Sequence, residues 1–273
     1  EVSSLEEMLA EAPGADAIIG VCNAEVIAAA TDALWVQQYA SGAERCLGVP
    51  DVASGRVVMT NMQKMASPAI GEHAIALTLA LSRGLGQYAK TMTTGEWQSG
   101  SIPVSSVEGK TILVAGLGGI GRETAKRAAA LGMTVYATRN SSRNGPDYVE
   151  YVGLAHELLE LAGKADVIVN ALPLTATTGL YDKAFFDAVK PGALFINVAR
   201  GRSVVTDDLV AALESGQISG AGLDVTEPEP LPADHPLWQM PNVIITPHVA
   251  WQGSNTERHQ AVLQENLRRF IAG

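Results

Sequence analysis

The chain of 273 residues is 47% hydrophobic and 18% charged, enough apolar material to bury a large core and, at this length, to form two domains. A disordered or fibrous protein is excluded. Its net charge of −10 and pI near 5.0 speak against nucleic acid and anionic membranes as partners, because neither attracts an acidic surface. Cys22 and Cys46 are far apart and lack metal-type spacing, so both are expected as reduced, packed thiols, with no disulfide framework and no metal.

The sequence opens without Met on a helix start, Ser4 and Glu7 being spaced as a capping box, so an upstream segment is expected. A strand at ADAIIG, a helix at AEVIAAA and a strand at ALWVQQY follow, then the loop ASGAE. This is one partial α/β unit. The strand RVVMTN leads to an apolar helix from Pro68 to about Leu81, with Pro in its first turn, expected to be buried between domains. Its core, AIALTLAL, stops at Ser82 and Arg83, well short of the about 20 residues that span a bilayer. A soluble, cytoplasmic protein is expected.

After a Gly- and Ser-rich stretch from Gly95 to Gly109, a second unit begins with the strand TILVAG, the loop GLGGIG, the helix RETAKRAAAL and the strand TVYAT. Strands at ADVIVNALP, ALFINVA, GAGLDV and NVIITPH continue it, separated by helices such as TDDLVAALES, for which Thr206 is the expected cap. The alternation predicts an α/β fold of two doubly wound, Rossmann-like domains with mostly parallel sheets. The last segment, SNTERHQAVLQENLRRFIAG, places Val262, Leu263, Leu267, Phe270 and Ile271 on one helical face, expected to pack on another domain.

The G-x-G-x-x-G spacing of Gly116, Gly118 and Gly121 is weak evidence alone. Here it follows an apolar strand and opens a helix, where backbone amides and the helix dipole meet a pyrophosphate, and this predicts dinucleotide binding, with Gly119 and Ile120 in the same loop. A strand after such a loop usually ends in the Asp or Glu that holds the ribose diol of NAD. Here Arg139 stands at that place, and the only acid between Gly121 and Asp147 is Glu123, in the first turn of the helix. Arg139, Ser141 and Arg143 suit the 2′-phosphate of NADP instead, so NADP is expected in preference to NAD. Arg200, Asp224 and His248 each fall at or just past a predicted strand end, the edge where open α/β sheets bind ligands. Singly, such an Arg is usually a surface charge and such a His structural; three together point to a site.

The runs NVARGRSVVTDDLVAALESGQISGAGLDV, TEPEPLPADHPLW and PNVIITPHVA resemble the D-isomer-specific 2-hydroxyacid dehydrogenase family, and the glycine loop and the PAIGEH helix start fit as well. The resemblance covers nearly the whole chain. It implies a catalytic set of Arg200, Glu229 and His248, Glu229 being preferred over Glu227 by its spacing after Asp224. The chemistry agrees. A two-pronged Arg clamps the carboxylate of a 2-keto acid, a His gives a proton to the forming alkoxide, and a carboxylate on the other ring nitrogen orients that His.

Pro173, Thr178, Ala199 and Asp224 complete the expected cofactor set. The loop ASGAE corresponds to a family loop whose amides bind the substrate carboxylate, which makes Ser41 and Gly42 candidates. Lys64 and Met65 stand where members commonly carry Gly-Val, and are candidate substrate contacts; Trp251 is a candidate wall. His73, His156, His235 and His259 are read as structural or solvent-facing. The resemblance implies a cofactor domain, residues 78–250, inserted into a substrate domain of residues 1–77 and 251–273, with the active site between them. It further implies a homodimer, the D stereochemistry and a small 2-keto acid substrate such as glyoxylate or hydroxypyruvate. The alternative function is a nucleotide-sensing, corepressor-like binding protein without turnover.

Overall fold

The computed structural model describes residues 2, 4–97, 99–174, 177–253 and 256–272. Residues 254, 255 and 273 of the last predicted segment lie outside these. The chain divides into two compact units, Glu1–Ala66 with Gly253–Gly273, and Ser67–Gln252.

The smaller unit begins with α1 (Leu5–Glu11), whose capping box closes as expected: Glu7 N donates to Ser4 Oγ at 3.2 Å and Ser4 N to the Glu7 carboxylate at 3.3 Å. The strands β1 (Ala17–Gly20), β2 (Trp35–Gln38) and β3 (Val58–Thr60) form a parallel sheet in the order β1-β2-β3. Its connections are α2 (Ala24–Ala29), capped by Asn23, and the short helices α3 (Glu44–Leu47) and α4 (Pro50–Ala53). Ile18, Val26, Ile27, Val36 and Val57 form its core.

The C-terminal helix, Thr256–Ala272, belongs to this same unit. Phe270 stacks on Trp35 with ring centroids 5.3 Å apart, and Asn266 donates to the Gln37 side chain at 2.8 Å. Leu267 and Ile271, expected on the packed face, are exposed at 38% and 75%. A polar residue, Asn266, has taken the seam, because its amide meets a buried Gln.

The two cysteines correct a second expectation. Cys22 and Cys46, 24 residues apart, are joined in a disulfide with their Cα atoms 5.6 Å apart. Cys22 follows β1 and Cys46 lies in α3, just after β2. Parallel pairing of β1 with β2 brings both segments to the same sheet edge, which sequence distance does not reveal.

The larger unit starts with α5 (Ser67–Ser82) and α6 (Leu85–Thr91). Then come β4 (Thr111–Ala115), α7 (Gly119–Ala130), β5 (Thr134–Arg139), β6 (Tyr151–Leu154), α8 (Leu158–Ala162), β7 (Val167–Asn170), α9 (Lys183–Ala188), β8 (Ala193–Asn197), α10 (Thr206–Glu214), β9 (Ile218–Leu223) and β10 (Val243–Ile245). All seven strands pair in parallel in the order β10-β9-β8-β7-β4-β5-β6. The chain reverses its direction of growth between β4 and β7, the switch point at which such sheets bind ligands.

Each central strand is buried on both faces, as helix-covered parallel strands must be. In β4, Leu113 joins the layer of Leu158, Phe185, Phe195 and Leu213, while Ile112 and Val114 join that of Leu77, Ala125 and Val135. The helix α5 lies wholly in this unit, whereas the expected boundary at 77/78 cuts through it. Small residues account for this. A Cβ on Gly71 would come within 2.8 Å of Glu123 Cβ in α7, so the two helices pack at close range. Thr206 is the first residue of α10 and not its cap; its hydroxyl donates to the Glu227 carbonyl at 2.6 Å.

Candidate active site

Two glycines of the 116–121 loop, Gly116 and Gly121, have a steric reason to be glycine. Gly116 has φ +96°, and a Cβ there would meet the Ala171 carbonyl at 2.9 Å, across the β4/β7 switch point. A Cβ on Gly121 would collide with the Gly116 carbonyl, so α7 can start hard against β4 only without one. At Gly118 an added Cβ would meet nothing within 4 Å. There the loop offers open backbone where the first amides of the 12-residue helix α7 are unpaired. Such a cradle fits a dinucleotide pyrophosphate. Pro173 and Thr178 are exposed beyond the end of β7, and Thr177 Oγ1 donates to the Pro173 carbonyl at 2.7 Å.

Arg139 is the last residue of β5, beside the glycine loop, and its Nη1 donates to the Asn144 carbonyl at 2.7 Å. Arg143 is engaged differently. Its guanidinium pairs with Glu157 at 2.7 Å and donates to the Tyr151 hydroxyl at 2.7 Å. Glu157 also accepts from Leu154 N and the Tyr151 hydroxyl, and these bonds, with Arg143, hold its carboxyl down at a pKa of about 2. Of the two cations expected to face a phosphate, Arg143 therefore already has a carboxylate partner. Ser141 is exposed.

Arg200, Glu229 and His248 follow the C-terminal ends of the adjacent strands β8, β9 and β10. His248 Nδ1 and Glu229 Oε1 are 2.7 Å apart, and both side chains are 42% exposed. His248 occupies the left-handed region, φ 54°, unusual for a residue with a Cβ. The turn holding it is fastened to Asp224, which the sequence suggested as a cofactor ligand. Asp224 bonds to this turn with both its side chain and its main chain. It is 2% exposed, its carboxylate accepts from Thr246 Oγ1 (2.6 Å), Val249 N (2.9 Å) and Ala250 N (3.0 Å), and its carbonyl accepts from His248 N (2.8 Å). His73 joins at Thr246 Oγ1, 2.8 Å away. Trp251 donates its indole N–H to the His248 carbonyl at 2.9 Å, so its ring is anchored to the same turn.

Arg200 is half-buried and its Nη1 donates to the Ala199 carbonyl at 2.8 Å. The Arg200 carbonyl accepts from Asn197 Nδ2 and Ser203 Oγ. These polar residues, with Asn170 and Tyr181, escaped the sequence reading. A signal existed: the apolar strands VIVN and LFIN both end in Asn, and the two pair in register.

In the smaller unit, Ser41 and Gly42 follow β2, and Lys64 and Met65 follow β3. The two loops are laced together by Ser41 Oγ donating to the Met62 carbonyl (3.0 Å) and Asn61 Nδ2 to the Ser41 carbonyl (2.7 Å). Lys64 is exposed with φ 71°, whereas Met65 is 5% exposed and packs inward.

A family model described as D-isomer specific 2-hydroxyacid dehydrogenase, NAD binding domain, matches residues 75–250. The chain is 34% identical to a hydroxypyruvate reductase of Blautia hydrogenotrophica over 80% of this chain and 69% of that protein. It is 32% identical to a glyoxylate reductase of Thermofilum pendens over 98% of this chain and 81% of that one. Among solved structures it is similar to an NADPH-dependent glyoxylate/hydroxypyruvate reductase from Sinorhizobium meliloti in complex with NADP and sulfate, with a TM-score of 0.83, 28% identity, and coverage of 95% of this chain and 83% of that one.

Proposed function

Because the chain belongs to the D-isomer specific 2-hydroxyacid dehydrogenase family and is an NAD(P)-dependent oxidoreductase, we propose that it reduces glyoxylate or hydroxypyruvate, with NADPH preferred. The observation that carries this reading is the 2.7 Å contact of His248 Nδ1 with Glu229, one strand over from the loop of Arg200. Since Glu229 takes Nδ1, the proton leaves from Nε2, while the Arg200 guanidinium grips the substrate carboxylate and polarises the keto group. Glu229 orients the ring and stabilises the imidazolium. When bound, the nicotinamide supplies the hydride. Gly116, Gly118, Gly119, Ile120 and Gly121 hold the pyrophosphate, with Pro173, Thr178 and Ala199 as further cofactor contacts. From the family resemblance, the loops of Ser41, Gly42 and Lys64 contribute to substrate binding. Steady turnover of NADPH with either 2-keto acid tests the proposal; tight cofactor binding without turnover would favour the nucleotide-sensing alternative.

Two arguments support NADPH: Arg139 stands at the strand end where a ribose-binding acid belongs, and the Sinorhizobium relative is NADPH-dependent. With Arg143 paired to Glu157, one strong cationic contact is expected rather than two. A hydrogen bond to a charged group contributes about 1.5–3 kcal/mol, which corresponds to roughly a tenfold to hundredfold preference in kcat/KM for NADPH. Arg139→Asp should erase or reverse that preference, as read from kcat/KM with each cofactor. Equal efficiency of the parent with both would refute it.

We also propose a homodimer formed through the larger unit, where Leu85, Met92, Trp97 and Val104 are apolar and 53%, 81%, 97% and 50% exposed. Light scattering at micromolar concentration should give about twice the 28.6 kDa chain mass. A clean monomer would refute this.

A further inference from the structure

We propose that Asn170 is a positioning residue that acts through Asn197 and Ser203 to set the place of Arg200; this rests on the reading of Arg200 as the substrate-carboxylate clamp. Asn170 is fully buried at the end of β7, and all four of its hydrogen-bonding positions are used. Its Oδ1 accepts from Leu172 N at 3.1 Å and from the Tyr181 hydroxyl at 3.0 Å, and its Nδ2 donates to Asn197 Oδ1 at 3.0 Å and Ser203 Oγ at 2.8 Å.

The direction of every bond is fixed by backbone groups. The amide of Leu172 can only donate, so the oxygen of Asn170 must face it and the nitrogen must face the other way. The amide of Ala199 likewise fixes Asn197 Oδ1, at 3.1 Å, so that Asn197 Nδ2 points at the Arg200 carbonyl at 3.1 Å. Ser203 accepts from Asn170 and passes its own proton to the same carbonyl at 2.6 Å. Two relays from one buried amide thus end on the main chain of the residue that carries the guanidinium. Tyr181, wholly buried, has its hydroxyl pKa raised by desolvation and remains a neutral donor, so the network keeps one hydrogen-bonding state throughout the working pH range.

A side chain required only to fill space there would be apolar, because a buried amide stabilises little unless every partner is present. This amide is fully partnered, and its relays converge on Arg200. One side of Asn170 holds the turn at Leu172 and Pro173, and the other holds Arg200. A substitution that changes only the second side separates the two effects.

Asn170→Asp makes that change: it keeps the acceptor for Leu172 and Tyr181 and breaks at least one of the two relays, because a carboxyl carries no more than one donor proton where the amide carries two. A misplacement of about 1 Å in a clamping group costs on the order of 10² in rate. Asn170→Asp should therefore raise KM for glyoxylate and lower kcat/KM by roughly tenfold to a hundredfold. NADPH affinity, read from nicotinamide fluorescence, should stay close to the parent's. In the Arg200→Lys background the same substitution should add little, since a displaced clamp has no second clamp to lose.

Additive effects of the two substitutions, or unaltered glyoxylate kinetics in a folded Asn170→Asp protein, would overturn the proposal. If Arg200→Lys alone leaves kcat/KM unchanged, the reading of Arg200 falls, and the inference falls with it by a distinguishable route. Should Asn170→Asp not fold, Ser203→Ala breaks one relay without placing a charge inside. It should raise KM for glyoxylate, again non-additively with Arg200→Lys, and an unchanged KM would overturn the proposal.

Discussion

Replacing His248 with Gln is expected to lower kcat for 2-keto acid reduction by about 10²- to 10⁴-fold, the usual worth of a positioned general acid, while NADPH affinity stays nearly unchanged. Gln can still hydrogen-bond to Glu229, so the loops carrying positions 229 and 248 keep their contact, but it has no proton to give at neutral pH. The turn itself is held from the main chain, by His248 N on the Asp224 carbonyl and by Val249 N and Ala250 N on the Asp224 carboxylate, and none of these bonds uses the imidazole. The glycine loop follows β4, three strands away from β9 and four from β10, so cofactor binding should not register the change. Pre-steady-state and steady-state rates together with fluorescence titration of NADPH check this. Activity within threefold of the parent would remove His248 from the mechanism.

Gly201→Ala is also expected to have a large effect, by another route. A Cβ at Gly201 would run into the carbonyl group of Thr226 and come within 2.8 Å of Glu227 N. All of these are backbone atoms, with no flexible side chain to swing aside. The loop of Arg200 or the loop leading to Glu229 must then shift. Overpacking of this kind costs about 1–3 kcal/mol or more in stability, and a shift of about 1 Å at Arg200 costs on the order of 10² in kcat/KM. The measurement is a thermal melt beside glyoxylate kinetics. A folded Gly201→Ala enzyme with the parent's KM and kcat would show that the approach of the two loops is unimportant for the site. The control is Gly216→Ala, at an open turn with φ +74° where an added Cβ meets nothing. It should cost some stability through backbone strain and leave KM in place.

Much of the site was legible because parallel sheets translate sequence into place by a simple rule. Strands that run the same way put all their C-terminal ends on one edge. Residues just past the apolar runs ALFINVA, GAGLDV and NVIITPH were bound to collect there, whatever the details of packing. The glycine spacing was legible for a related reason: a strand that turns at once into a helix leaves no room for a Cβ at Gly121, and that demand is local. What escaped were groups whose roles depend on partners in other segments. The bonds that Asp224 makes were among these, since nothing local tells that Thr246, Val249 and Ala250 will close over it. The pairing of Arg143 is not legible in the sequence either, because Glu157, fourteen residues on, comes beside it only when β6 folds against β5.

The sequence by itself determined the alternation of strands and helices, the burial of central strands on both faces, the glycine loop and the edge on which Arg200, Asp224 and His248 gather. Each of these follows from side-chain periodicity or from a steric demand within a few residues. Only the tertiary structure decided that Cys22 lies against Cys46, that α5 packs wholly in the larger unit, and that Asn170 and Asn197 stand side by side beneath Arg200. These depend on strand register and on loops that close over tens of residues. A one-residue slip in register reverses which face a side chain takes, and local pattern carries no record of the partner strand.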